Sequence, residues 1–428
     1  MDIASLNRGG KFGNWFQDPV FTEMRKLLEP LCVPLTVMEL FGGLTTGYIA
    51  LAALGCWPEL KLYCDINSHL LHWISQVHNV SSAVHCGPIS GDILLKDIAT
   101  LVRAMIILAG PPCPPWSSKG VRAGWRDSRS VPFWRTLRII VDQARSGSLF
   151  LFVLENVAGF ASMQPDGTVP LHEVLQLLRE ELPSDWTVDH CMYNTKHFGL
   201  AQNRPRVYVV GRKTLGTASR AFPATAQCFN MKPKVSDFAR VPLSGEMEEA
   251  ANGYRGRGYS SLQKSNLRQW RNAMSSELKS QSLRGQCAFF AYDRTPSIRT
   301  SWKPNKSFDT CECLTANGPV LHCFSLGDNA KSRDSTVLPT ERAALQGFPM
   351  DYIVNDHRSP EACVAIGNAM SVPVVATVFF RELSYQLQLR PERFSSFVAS
   401  MPRNLCLSWK VYLHISFVRY CLYRVSRY

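Results

Sequence analysis

A single cysteine, Cys113, stands between two Pro-Pro pairs in the stretch Ala109-Gly110-Pro111-Pro112-Cys113-Pro114-Pro115-Trp116-Ser117. A thiolate held on such a rigid turn is a nucleophile suited to covalent addition at an electron-poor carbon. Free cysteines are more often small buried hydrophobes, and this chain has 14, so the chemistry of Cys113 depends on its company. Glu155 follows the six apolar residues Leu149-Phe150-Leu151-Phe152-Val153-Leu154, where a carboxylate can carry or share a proton or simply end a strand in solvent. Arg204 and Arg206 flank Pro205, so an extended chain there would turn both toward one edge to grip phosphate or base oxygens, or to form surface ion pairs. Asp65 ends the strand Lys61 to Cys64, and Asp92 in Gly91-Asp92-Ile93 stands at a third candidate strand end, each placed for ribose hydroxyls or for capping a helix.

The elements that must position these residues alternate in type. Leu35 to Phe41 reads as a buried strand, Gly42-Gly43-Leu44-Thr45-Thr46-Gly47 as a glycine turn, and Tyr48 to Leu54 as a helix. The glycine spacing does not match the dinucleotide fingerprint, although glycines there still let a ligand approach the backbone. Lys61 to Cys64 is a second strand and Ala104 to Leu108 another, ending at the Cys113 turn. A helix over 133–144 leads to the strand before Glu155, and a helix over 171–182 leads to strands over 186–193 and 207–211. Further on come a helix over 262–279, a helix over 340–346 with Thr340 as its N-cap, and an apolar helix over 374–387. The pattern is that of an α/β protein with a largely parallel sheet, in which ligands bind at the carboxyl ends of the strands.

The 428 residues are 46% hydrophobic and 19% charged, which excludes wholesale disorder. No leader pattern opens the chain, and no uninterrupted apolar run of about 18 residues is evident, so a soluble, unsecreted protein with no membrane partner is expected. The cysteines form no disulfide framework, and Cys311-Glu312-Cys313 with Cys323 fits no usual zinc spacing, so no metal is expected. The net charge of +13 is unevenly spread: residues 204–307 hold 19 basic against 6 acidic side chains, and residues 390–428 hold 7 against 1. An acidic body with a basic segment points to a catalytic part beside a surface for a polyanion, most simply nucleic acid. Arginine interleaved with tyrosine in Asn252 to Tyr259 suits phosphate contact and base stacking, or a flexible linker.

Taken in order, six stretches resemble the motifs of the cytosine-C5 DNA methyltransferase family. They are Glu39 through Gly47, Gly110 through Cys113, Glu155-Asn156-Val157, Gln202 through Arg206, Glu341 through Pro349, and Gly367-Asn368-Ala369. The resemblance implies a Rossmann-like S-adenosylmethionine-dependent methyltransferase core with a smaller, irregular target-recognition domain. It divides the chain into a lead-in (1–34), the catalytic domain (35–212), a basic target-recognition region (213–335), a return to the catalytic domain (336–388) and a basic aromatic tail (389–428). It implies that Phe41, Gly43, Thr46, Asp65, Asp92 and Asn368 bind S-adenosyl-L-methionine, with Phe41 against the adenine and Asp65 on the ribose. It implies further that the Cys113 thiolate attacks C6 of a flipped-out cytosine in double-stranded DNA, that Glu155 holds N3 and the exocyclic amine, and that Arg206, helped by Arg204, contacts O2.

Pro114 departs from the family's usual pattern after the cysteine, and Thr45-Thr46-Gly47 is closer to the de novo eukaryotic branch than to most bacterial members. A eukaryotic host would imply a nuclear address, another host a cytoplasmic one. No chromatin-reading module is recognisable, which leaves a minimal enzyme or one delivered by a chromatin or targeting partner. Two alternatives stand beside the main reading. One is the branch that methylates a tRNA cytosine, to which Cys323-Phe324-Ser325 bears a short likeness; the other is a catalytically silent DNA-binding relative.

Overall fold

The computed structural model describes residues 12–28, 34–77, 89–117, 122–214, 229, 272, 289–292, 310–315, 321–325, 333–349, 352 and 360–389. The expected helix over 262–279, the Arg/Tyr stretch over 252–259 and the tail from 390 onward lie outside the described residues.

A seven-stranded sheet organises the chain, in the order β3-β2-β1-β4-β5-β8-β6. Its strands are β1 (Pro34–Leu40), β2 (Trp57–Cys64), β3 (Ile89–Ser90), β4 (Ile106–Ala109), β5 (Leu151–Val157), β6 (Trp186–Asn194) and β8 (Pro205–Lys213), while β7 (Gln202–Asn203) stands apart from it. All neighbours from β3 to β5 run parallel, and β8 runs antiparallel to both β5 and β6. The apolar runs that mark the central strands are long because both faces are covered. Along β5, Leu151 and Val153 belong to one core and Phe152 and Leu154 to the other, and β4 divides in the same way into Ile106 with Leu108 and Ile107 with Ala109. This is the period of two expected of a strand buried on both sides.

One face carries α1 (Pro19–Leu28), α2 (Thr46–Ala53), α3 (Ser68–Val77), α6 (Pro339–Leu345), α7 (Pro360–Asn368) and α8 (Val372–Leu389). The other carries α4 (Val131–Arg145) and α5 (Pro170–Glu181). Residues 361–385 are long and apolar enough to cross a membrane by length and composition, although polar and charged residues interrupt the run; 83% of its most apolar 18-residue window is buried inside the fold.

Within the lead-in, Trp15, Phe16 and Phe21 are buried with Phe12 in mutual ring contact, and α1 turns Phe21, Met24 and Leu28 to the same side. Each such buried side chain contributes about 1.5–3 kcal/mol. Thr340 is not the N-cap of α6; Leu338 is, with Pro339 in the first turn, and the Glu341 carboxylate accepts the Leu338 N–H at 2.8 Å. Glu155 does not follow its strand but lies inside β5, paired with Tyr208 of β8.

Beyond β8, β7 pairs in parallel with β10 (Cys311–Glu312), and β9 (Phe289–Tyr292), β11 (Leu321–Ser325) and β12 (Arg333–Thr336) form a small antiparallel sheet.

Candidate active site

The strand order reverses direction between β1 and β4, and at the carboxyl ends of these strands the site is built. The turn after β4 is fastened at several points. Trp116 N–H and Ser117 N–H both donate to Cys113 O at 3.1 Å, Gly124 N–H donates to Pro115 O at 3.1 Å, and Asn156 Nδ2 donates to Pro111 O at 3.3 Å. The Trp116 ring is fully buried, edge-on to Trp125, Phe133 and Phe160 at centroid distances of 5.0–5.3 Å. Gly159 lets this happen, since a Cβ there would lie 2.2 Å from Trp116 O. Pro114, Pro115 and Trp116, where the sequence departs from the family's pattern, therefore form a pinned turn that leaves the Cys113 side chain partly exposed.

Around the thiol stand the groups expected there. Burial pushes the Cys113 thiol up and Glu155 adds to this, while Arg206 and Arg204 pull it down. Glu155 is 8% exposed, and its Oε1 lies 3.0 Å from Arg206 Nε as an ion pair. The N–H is not aimed at that oxygen, and Oε1 accepts no hydrogen bond among the described residues. A carboxylate neutralised by a neighbour but with its acceptor atom still open is suited to hold a donor supplied by a ligand. Arg206 reaches this edge because β8 is antiparallel: Arg206 begins the strand opposite Val157, at the carboxyl end of β5. Its Nη1 donates to Pro205 O at 2.8 Å and its Nη2 to Cys313 Sγ at 3.2 Å. Burial disfavours its charge, but Cys313 and Glu155 outweigh this and hold the guanidinium above its usual range.

Arg204 does something else. Its guanidinium, in a residue 3% exposed, donates to the carbonyls of Leu314 (2.7 Å), Gly367 (3.3 Å) and Ala369 (2.8 Å), and to Cys313 Sγ (3.3 Å). Its two Nη groups thus hold the carbonyls of Leu314, Gly367 and Ala369, while its buried Nε has no hydrogen-bond partner among the described residues. Gln202 Nε2 joins it by donating to Leu345 O at 2.9 Å, and Gln346 Nε2 donates to Ile366 O and Ala369 O at 3.0 and 3.1 Å. Amides and a guanidinium thus bind β7 to α6 and α7, a clamp that the spacing of residues did not foretell.

At the β1 and β2 ends, Phe41 and Thr45 have φ of 56° and 50°, and Gly43 has φ of 51°. A Cβ on Gly43 would meet nothing closer than Phe41 O at 4.0 Å, so the backbone there is open to a ligand. Asp65 holds the turn through Gly43 N–H at 3.1 Å and Asn67 N–H at 2.9 Å, with burial pushing its carboxyl up. Tyr63 OH donates to Gly43 O at 2.7 Å, and Tyr352 OH lies 2.7 Å from Thr45 Oγ1. Beneath the turn, Glu39 is 1% exposed and accepts from Gly47 N–H at 3.3 Å and Tyr48 N–H at 2.7 Å, capping α2; burial raises its carboxyl to about 8. Asp92 accepts from Leu94 N–H at 2.9 Å, the capping role open to it from sequence, and keeps a partly exposed carboxylate on the same edge. Ile66, next to Asp65, is 77% exposed and offers a flat apolar surface. Thr46 is 2% exposed and lies under this surface rather than on it. Asn368 is exposed at the end of α7, between the two carbonyls that Arg204 holds, and the neighbouring Met370 lies 2.8 Å from where a Gly110 Cβ would stand.

A seven-stranded mixed sheet with a pinned thiol at its reversal point and an open glycine turn beside it is consistent with a Rossmann-like methyltransferase fold. The family model for C-5 cytosine-specific DNA methylase matches residues 35–382, and the chain belongs to that family. The chain is similar to type II methyltransferase M.HpaII of Haemophilus parainfluenzae, 31% identical over 191 residues that make up 44% of this chain and 49% of that one. It is similar to type II methyltransferase M.SsoII of Shigella sonnei, 25% identical over 294 residues, 67% of this chain and 66% of that one. The chain spans only a third to a half of the length of the first curated relatives it matches, at 33%, 49% and 37%. These relatives come from bacteria and phages, and they lend no support to the leaning of Thr45-Thr46-Gly47 toward the eukaryotic de novo branch. In structure the chain is similar to a DNMT2 variant of Spodoptera frugiperda, with a TM-score of 0.52 at 14% identity over 80% of this chain and 98% of that one. A second likeness, to the Entamoeba histolytica methyltransferase EhMeth, has a TM-score of 0.50 at 13% identity over 83% of this chain and 98% of that one, and both bear on the fold alone. Among the described residues no cluster of three or more His, Cys, Asp or Glu could hold a metal ion.

Proposed function

We propose that the chain methylates C5 of a cytosine flipped out of duplex DNA, through a covalent adduct on Cys113. The observation that carries this reading is the ion pair of Glu155 and Arg206 at 3.0 Å on the sheet edge that presents the half-exposed Cys113 thiol. A cytosine carbon is a poor nucleophile until addition breaks the ring's conjugation. The Cys113 sulfur would add to C6, and the electrons of the C5–C6 bond would move to C5. The open Glu155 Oε1 would take the donors of the Watson–Crick edge, N4–H and a protonated N3, and Arg206 would face O2. Loss of the C5 proton after methylation would let the C6–S bond break and return the thiolate. The target atom is out of reach inside a duplex, so the base has to leave the stack at a cost of a few kcal/mol. The basic stretch over 204–307 is the source proposed for phosphate contacts that offset this.

The methyl donor proposed is S-adenosylmethionine, whose sulfonium supplies an electrophilic methyl group. Open backbone at Gly43, the Asp65 and Asp92 carboxylates and the exposed faces of Phe41 and Ile66 fit a nucleoside with ribose hydroxyls and a flat base. A chromatin or targeting partner that delivers the chain to DNA belongs to the same proposal.

Labelled methyl transfer from S-adenosylmethionine to duplex DNA and, in parallel, to a tRNA pool tests it, with wild type and Cys113→Ser. Label on DNA that disappears in the variant is the expected result. Label on tRNA alone would move the substrate, and DNA binding without transfer would favour a silent module.

A further inference from the structure

Cys313 has no part in the reaction as proposed, yet both arginines of the β7–β8 segment rest against it. Its Sγ lies 3.2 Å from Arg206 Nη2 and 3.3 Å from Arg204 Nη1, with Leu314 O at 3.3 Å. The segment that carries it is held in place on both sides: Cys311 and Glu312 pair with Gln202 and Asn203, and Leu314 N–H donates to Gln202 Oε1 at 3.1 Å. The sulfur is therefore fixed by β7, the strand that directly precedes the two arginines in the chain.

Among the described residues the charges around it do not balance without it. The Arg204 residue is 3% exposed and the Arg206 side chain 12%, and among the described residues Glu155 pairs with Arg206 while Arg204 pairs with no carboxylate. A guanidinium taken out of water without a counter-charge is costly. A second anion beside Nη1 of one and Nη2 of the other brings the cluster to neutrality. Burial pushes the Cys313 thiol up, but the two arginines outweigh it and hold the thiol below its usual value. Besides Cys313, the titratable groups acting on Arg206 are Glu155 and Cys113.

Resting on the cytosine reading of the site, we propose that Cys313 is a positioning residue: as an arginine-bound thiolate it holds Arg206 Nη2 and so keeps the guanidinium beside Glu155, and protonation of the sulfur loosens that hold. The proton, when it arrives, has a place, since Leu314 O already stands within reach of Sγ. This ties the alignment of the base-facing arginine to a second thiol of the site, separate from the nucleophile.

Methyl transfer to duplex DNA measured against pH, for wild type, Cys313→Ser and Cys313→Ala, tests the proposal. The alanine variant is expected to lose about tenfold or more in kcat, the worth of a charge-assisted hydrogen bond, with KM for S-adenosylmethionine unchanged. Serine should recover part of the rate and show a shallower acid limb than wild type, because the hydroxyl does not ionise in that range and the Cys113 thiol alone is left to titrate. A second readout needs no turnover: the pH dependence of iodoacetamide alkylation at Cys313, read by peptide mass spectrometry in wild type and Arg206→Met. The sulfur attacks the methylene carbon and iodide leaves, so the rate follows the thiolate. Its midpoint should lie lower in wild type than in Arg206→Met. An alanine variant with wild-type kcat and pH profile, or equal midpoints in the two proteins, would overturn the proposal. Wild type that transfers no methyl would sink the cytosine reading instead, and the alkylation midpoints would still decide whether the arginines hold the thiol.

Discussion

Arg206 Nε stands 3.0 Å from Glu155 Oε1, and this pair exists because β8 runs antiparallel beside a parallel strand and so begins where β5 ends. The carboxylate and its counter-charge come from positions 51 residues apart that the topology alone brings together.

Arg206→Lys keeps the charge and loses the fork. One ammonium cannot reach Glu155, Pro205 O and Cys313 Sγ together, as the guanidinium does. Single-turnover transfer should fall about 100-fold, in line with loss of one aligned electrostatic contact, while S-adenosylmethionine affinity stays near wild type. A lysine variant with the wild-type rate would show that the fork is not used.

The Cys113 thiol is pushed up by burial, so the reactive thiolate is the minor form at neutral pH in the free protein. Proton loss, and with it the rate of adduct formation, should rise with pH through neutrality and go on rising past the ordinary thiol value of about 8.5. Arg206→Met removes one of the two cations that pull the thiol down, and should move this limb to still higher pH. Rates of covalent capture by a DNA duplex carrying 5-fluorocytosine, whose C5 substituent cannot leave as a proton, measure it directly. A profile that falls with pH would contradict the assignment.

Gly159→Ala places a methyl carbon 2.2 Å from Trp116 O, a backbone atom that cannot swing aside. Either β5's continuation or the Cys113 turn has to move. Stability should drop by about 1–3 kcal/mol, the range for overpacking, and kcat should fall with it. Thermal melting and turnover of the same preparation decide; full activity would show that the turn yields without disturbing the thiol.

Arg204→Met leaves the carbonyls of Leu314, Gly367 and Ala369 without their shared donor. A loss of about 3–5 kcal/mol in urea unfolding is expected for breaking a buried charged network. A variant as stable as wild type would remove Arg204 from the clamp.

Much of this was legible in the residues. Cys113, Glu155 and Arg206 were each marked by local pattern: a thiol framed by prolines, a carboxylate after an apolar run, an arginine at the start of a strand. Other residues carried no such mark. Gln202 and Gln346 are uncharged amides, buried completely, and nothing in their neighbourhoods tells that they hold β7 to α6 and α7. The aromatics over 12–21 repeat at helical spacing and could have been read as a packed element, but no adjoining strand or turn announced what they pack against.

By itself the sequence determined the α/β pattern, the family and the thiol, because those depend on residue types and on periods of two and 3.6 along the chain. The tertiary structure decided which way each charge points. Two arginines two residues apart looked equivalent, yet Arg206 faces Glu155 and Arg204 faces backbone carbonyls. That division depends on partners 110 to 165 residues away, which are brought beside β7 only when α7 and the segment around Leu314 pack against it. A hydrogen bond forms between atoms within about 3 Å of one another, and sequence distance carries no information about that separation.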